Sequence, residues 1–178
     1  AVVKLSGYGE ITLWKDFPQA LEFLSRSFPV VQLISNATFG DEILRLILSA
    51  RNLSPNFTID GHLNSMNHYR TRGDSALHQR MLHNLTECVN AGRPVEVNCV
   101  LHDRNIDGFT DYCEFLMKLG EKNIMLLPFP VKPFALASDV GSTVRHGIES
   151  LSGQIDSIWD AYGSILPPRS YGSRLRRF

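Results

Sequence analysis

A parallel α/β sheet with helical crossovers is the fold class this sequence predicts, and two observations predict it. Five short runs rich in Val, Ile, Leu and Phe read as strands, and stretches with apolar residues three and four apart lie between them. No Asn-Gly or Asp-Gly pair joins two apolar runs as a hairpin turn; Asp60-Gly61 opens a long polar loop instead. Strand, helix, strand, repeated along the chain, calls for parallel pairing.

The elements follow in order. AVVKLS (1–6) is the first strand, and Leu21, Leu24 and Phe28 mark a helix after it. VVQLIS (30–35) is the second, followed by Ile43 and Ile47 beside Leu44 and Leu48. FTID (57–60) is the third, and Leu77, Met81, Leu85 and Val89 form the next helical stripe. VEVNCVL (95–101) is the fourth, and Phe109, Cys113, Leu116 and Leu119 form another stripe, with Asn105 and Asp107 suited to its start and Gly120 to its stop. NIMLLPF (123–129) is the fifth. The runs do not alternate cleanly, which predicts strands buried on both faces. After Phe134, Val144, Ile148, Leu151, Ile155, Ile158 and Tyr162 predict one amphipathic helix, and PPRSYGSRLRRF closes the chain. The expected division is a core at 1–134, a helical region at 135–163 and a solvated basic tail at 164–178. With 178 residues the chain is short of the ~250 of an eight-stranded barrel, so the sheet is open or a partial barrel.

Composition narrows the partners. Eighteen basic and eighteen acidic residues leave no global field for nucleic acid or a membrane surface. No apolar run approaches the ~20 residues of a membrane span and no secretory signal opens the chain, so a cytoplasmic location is expected. Cys88, Cys99 and Cys113 are too few and too widely spaced for a disulfide framework, and the first and last fall on apolar helix faces. The four Asn-x-Ser/Thr triplets at Asn36, Asn52, Asn56 and Asn84 read as coincidence.

Chemistry in a parallel sheet belongs at the C-terminal strand ends. Glu10, Asn36, Asp60, Arg72, Asn98 and His102 all fall there and are expected to face one crevice. Gly7-x-Gly9 lacks the third glycine of a dinucleotide fingerprint, and no Gly-Lys-Ser/Thr follows for a P-loop. His62 and His68 stand in a loop without a nearby Cys, so no metal site is expected within the chain. No Ser sits in a Gly-x-Ser-x-Gly elbow.

The loops in sequence resemble the radical S-adenosylmethionine (SAM) superfamily, in its peptide- and protein-modifying members. Ser6-Gly7-Tyr8-Gly9-Glu10 resembles that family's Gly-Gly-Glu-Pro motif, with Ile11 where the proline stands. Thr58-Ile59-Asp60-Gly61 and Tyr69-Arg70-Thr71-Arg72-Gly73 resemble the segment after the fourth strand, and Gly92-Arg93-Pro94-Val95-Glu96-Val97-Asn98-Cys99-Val100-Leu101 resembles the strand that follows. Asn105-Ile106-Asp107 and Phe115-Leu116-Met117-Lys118-Leu119-Gly120 come next in the family's order, so the likeness spans roughly 1–133. It implies a partial TIM-like barrel that begins at its second strand. It also implies SAM as cofactor and hydrogen abstraction by a 5′-deoxyadenosyl radical from a peptide, protein or small-molecule substrate. By the same resemblance Gly7, Tyr8, Gly9 and Glu10 would meet the methionyl amine. Asn36 and Thr58 would be polar contacts, Arg72 a carboxylate partner, and Leu127 and Pro128 neighbours of the adenine. Asp60, Asn98 and His102 would line the crevice. The family's Cys-x3-Cys-x2-Cys loop, which holds a four-iron, four-sulfur cluster, has no counterpart here and would lie upstream of Ala1, making this chain an inactive fragment of a longer enzyme. Two other readings stand beside it: a non-catalytic α/β scaffold for a peptide or nucleotide, and an unrelated enzyme using Glu10, Asp60 and His102 as acid–base groups.

Overall fold

The apolar runs become five strands, β1 (Val2–Leu5), β2 (Val30–Ser35), β3 (Leu53–Thr58), β4 (Val95–Leu101) and β5 (Ile124–Pro130). In this computed structural model, which describes residues 1–7, 9–130 and 151–175, they pair in the order β1-β2-β3-β4-β5, each neighbour parallel. The sheet does not close on itself. Crossovers run through α1 (Phe17–Ser27), α2 (Asp41–Ser49), a single turn α3 (His68–Thr71) with α4 (Ser75–Asn90), and α5 (Phe109–Gly120). Two C-terminal helices follow, α6 (151–162) and α7 (Arg169–Leu175).

Local chemistry sets the helix ends. Pro18 stands in the first turn of α1, where no N–H partner is lost. The Asp74 carboxylate accepts from the N–H groups of Ala76 and Leu77 to cap α4. Gly120 ends α5 against Val89 of α4, and a Cβ there would collide with the Val89 side chain. The core lies between these helices and one face of the sheet: Val31, Leu33, Phe57, Val97, Cys99 and Leu126 meet Phe17, Ile47, Met81, Leu85, Tyr112 and Leu116, all fully buried. Among the described residues no helix is long and apolar enough to cross a membrane.

Three expectations are corrected. Burial on both sheet faces does not hold, because β2 and β4 alternate: Val31, Leu33, Val95 and Val97 are buried, while Gln32, Ile34, Glu96 and Asn98 are half-exposed. Helices cover only one face, and side chains of period two divide accordingly. The third strand starts at Leu53 rather than Phe57, with Pro55 inside it. Proline is tolerated there because Pro55 registers with Leu33 of β2, while the ladder to β4 begins only at Asn56. The described part of the C-terminal segment is not a wholly solvated tail. Ile165 and Leu166 are buried, Ile165 C=O accepts the Leu126 N–H at 2.6 Å, and the Tyr171 hydroxyl donates to Pro128 C=O at 2.9 Å. The segment thus satisfies two backbone groups on the free edge of β5, the Leu126 N–H and the Pro128 C=O. Leu151, Ile155 and Ile158 of α6 are buried as their spacing requires, whereas Val144 and Ile148 lie outside the described residues.

Candidate functional site

A polar cleft of about 350 Å³ opens at the C-terminal ends of β1, β2 and β3. The loop after β1 contributes Ser6, Gly7, Gly9 and Glu10, the end of β2 Ile34, Ser35 and Asn36, β3 contributes Thr58, and α3 contributes Arg70. Glu10 ties the first two loops together. Its Oε1 accepts from Thr12 N–H (3.2 Å), Thr12 Oγ1 (2.6 Å) and Ser35 Oγ (2.7 Å), and its Oε2 from Asn36 N–H (2.7 Å). Gly9 borders open space, since a Cβ built on it meets no atom within 4 Å. Asn36 Oδ1 accepts from Thr38 N–H and Oγ1, and among the described residues neither the Asn36 side-chain nitrogen nor the Thr58 hydroxyl has a hydrogen-bond partner.

The turn after Asn36 is strained. Ala37 is buried at φ 59°, a left-handed conformation that costs a non-glycine residue about 1–2 kcal/mol. The surroundings impose it: Ala37 N–H donates to Ser35 Oγ at 3.0 Å, and the buried Asn84 amide donates to the carbonyls of Ala37 and Phe39, both at 2.8 Å.

Arg70 reaches the cleft because Asp60 holds it. Asp60 is buried, and its Oδ2 lies 2.5 Å from Arg70 Nε. Its Oδ1 accepts from Arg70 Nη2 (3.1 Å) and Val100 N–H (2.9 Å). Two buried asparagines lock the surrounding loops. Asn67 accepts from Asp60 N–H at 2.8 Å and donates to Gly61 C=O at 2.5 Å; Asn105 donates to the carbonyls of Asp60 and Val100, both at 2.8 Å. Gly61 is required for this closeness, since a Cβ on it would stand 2.5 Å from Met66 Cβ. Gly61→Ala is expected to cost about 1–3 kcal/mol through the forced displacement of Met66, read as a lower urea midpoint; an unchanged midpoint would show that the loop gives freely.

The cleft therefore gathers Gly7, Gly9, Glu10, Asn36 and Thr58 from the sequence-predicted set, while Tyr8 lies outside the described residues. Arg72 does not line it: it ends α3 exposed, at φ 54°. Arg70, two positions earlier, takes the place, and nothing in the spacing of Tyr69-Arg70-Thr71-Arg72 distinguishes them. Asp60 and His102 sit behind the cleft, with His102 Nε2 3.8 Å from Asp60 Oδ2 and His102 Nδ1 accepting from Arg104 N–H at 3.1 Å. Both are buried, and Glu10 is not among their hydrogen-bond or ion-pair partners. Asn98 and Leu127 register side by side on the half-open sheet face, and Pro128 is buried. Ser6 and Ser35 also line the cleft; as small polar residues at strand ends they carry no signal of their own.

A larger cleft, about 590 Å³, lies between α1 and the end of α2, where the chain enters β3. It is far from the C-terminal strand ends, and the smaller cleft carries the convergent polar groups. The cysteines do not suit a metal cluster. All three are buried, and burial pushes the thiols of Cys88 and Cys113 up to about 12 and that of Cys99 well above its ordinary value. Among the described residues no three His, Cys, Asp or Glu side chains gather as metal ligands.

No known family model matches the chain, and no curated protein matches it. Solved structures do. Streptococcus suis SuiB shares the fold with a TM-score of 0.62 at 12% identity, covering 88% of this chain and 36% of that one. SuiB bound to S-adenosylmethionine gives 0.63 at 12% identity over 88% of this chain and 37% of that one. Archaeal TYW1 gives 0.55 at 14% identity over 85% and 49%. The chain shares with these structures an open sheet of five parallel strands with helical crossovers, and it spans between a third and a half of these proteins' length.

Proposed function

We propose that the strand-end cleft binds S-adenosylmethionine, and that the chain is the core of a radical SAM enzyme acting on a peptide, protein or small molecule. The observation that carries this is the cleft itself, built of glycine backbone and unpaired donors at the strand ends of a fold shared with SAM-bound SuiB. Asn36 Nδ2 and Arg70 Nη1, neither with a hydrogen-bond partner among the described residues, are donors for the SAM carboxylate. The Thr58 hydroxyl is a partner for the ribose, and Gly7 and Gly9 let the aminocarboxyl end approach the backbone. Glu10 serves chiefly to hold this cradle, because its oxygens already accept four bonds.

SAM with a reduced iron–sulfur cluster supplies hydrogen abstraction from a substrate. On this reading the cluster would be held by cysteines other than the buried Cys88, Cys99 and Cys113. The test is calorimetric titration of SAM into the chain and its Gly9→Leu variant. A leucine there extends into open space, so the melting temperature should hold while SAM affinity falls by about tenfold or more, the loss of at least one charge-assisted contact. Equal SAM affinity in the two proteins would remove the cleft from consideration.

A further inference from the structure

On the sheet face away from the helices, side chains of β3, β4 and β5 stand in registered rows. Asn56 is opposite Glu96 and Thr58 opposite Asn98; across the next ladder Glu96 meets Met125, Asn98 meets Leu127 and Val100 meets Phe129. The Asn56 amide donates to Glu96 Oε1, and the Asn98 amide donates to Asn56 Oδ1. Chemistry fixes the direction of this relay. A carboxylate only accepts, so Asn56 turns its NH₂ to Glu96 and its carbonyl to Asn98, and Asn98 must answer with its own NH₂. Among the described residues the Asn98 side-chain oxygen then has no donor, nor has the second oxygen of Glu96.

Two half-buried acceptors, two residues apart on one strand and about 7 Å from each other, thus face the same way, one with a full negative charge. No cation pairs with Glu96 among the described residues. Beside them β5 exposes an apolar stripe, Met125 at 49% and Phe129 at 40%, with half-buried Leu127 between.

We propose that this face receives a cationic nitrogen on an apolar body: an ammonium or guanidinium group at Glu96 and the Asn98 carbonyl, its hydrocarbon against Met125, Leu127 and Phe129. Glu96 acts twice, by its charge and, through Asn56, as a positioning residue that keeps Asn98 an acceptor. A carboxylate or phosphate would meet the like charge of Glu96 and is disfavoured. As the substrate class of the proposed enzyme, the inference rests on the SAM reading, because Thr58, opposite Asn98, lines that cleft.

The experiment titrates n-hexylammonium and n-hexanol into the full chain, with and without SAM, following the Met125 methyl and the Asn56 and Asn98 side-chain amides by NMR. Hexylammonium should bind about tenfold tighter than hexanol, and Glu96→Gln should erase that preference at an unchanged melting temperature. Asn98→Leu should weaken hexylammonium while leaving SAM affinity within about twofold, and it decides the matter if Glu96→Gln does not fold. Equal binding of amine and alcohol, or wild-type amine affinity in the variants, overturns the proposal. Amine binding without SAM binding would instead sink the cleft reading and leave this receptor standing.

Discussion

Asp60→Ala is expected to remove about 3–5 kcal/mol of folding stability, a large part of what a domain this size holds. The substitution strips Arg70 of both its contacts and leaves the Val100 N–H without an acceptor. The Arg70 side chain is only 23% exposed, so water replaces little of what is lost. Asp60→Asn should fall between, because an amide oxygen still accepts from Val100 N–H while the charge is gone. The informative variant is Asp60→Ala with Arg70→Met: removing both charges should cost less than the sum of the single changes, since neither is left buried alone. Urea unfolding at pH 7 reads the wild type, the three single variants Asp60→Ala, Asp60→Asn and Arg70→Met, and the double variant. A loss below about 1 kcal/mol for Asp60→Ala would show that the pair is solvated and does not hold Arg70 in place.

The second large effect is alkaline unfolding. Burial raises the thiols of Cys88 and Cys113 to about 12, and raises Cys99 and the Tyr112 hydroxyl well above their usual values. Above pH 9 the unfolded chain releases thiol protons that the folded chain retains, so the folded state binds more protons and stability falls as pH rises. Each thiol contributes about 1.4 kcal/mol per pH unit, so the three together approach roughly 4 kcal/mol per unit until the folded values are reached. The melting temperature should hold from pH 7 to 8.5 and then drop steeply, and Cys88→Ala with Cys113→Ala should flatten the drop. A melting temperature unchanged between pH 8.5 and 10.5 would contradict the burial of these thiols.

What the sequence discloses depends on how much of the energy is local. β2 and β4 are legible because Val30-Val31 and Val95-Glu96-Val97 carry β-branched density, and their bounds match the predicted runs residue for residue. β3 hides four of its six residues because Ser54, Pro55 and Asn56 read as loop. Only the late start of its ladder to β4 makes proline acceptable there, and that is a fact of register rather than of composition. The parallel order was readable, whereas which face stays open was not, since that depends on curvature and on where helices pack. Of the residues that line the cleft, Glu10 and Asn36 were expected from their place at strand ends, and Gly7, Gly9 and Thr58 from the resemblance. Arg70 was not, because the choice between it and Arg72 is made by one helical turn and a buried carboxylate brought from ten residues away. The C-terminal segment misled for a related reason: Ile165 and Leu166 are two apolar residues in a basic stretch, too few for a period, and they gain burial only once β5 exists to dock against.

The strand order carries a consequence for how the chain emerges from the ribosome. Every strand adds beside the one made just before it, so each newly synthesised crossover finds its template already in place and never has to insert between earlier strands. A nascent chain therefore always presents one sticky, growing border. At β5 that border gains its first backbone partner from the C-terminal segment when Ile165 arrives, about 35 residues later. The interval between the two events is the time in which the nascent chain is most open to pairing with a neighbour on the same message.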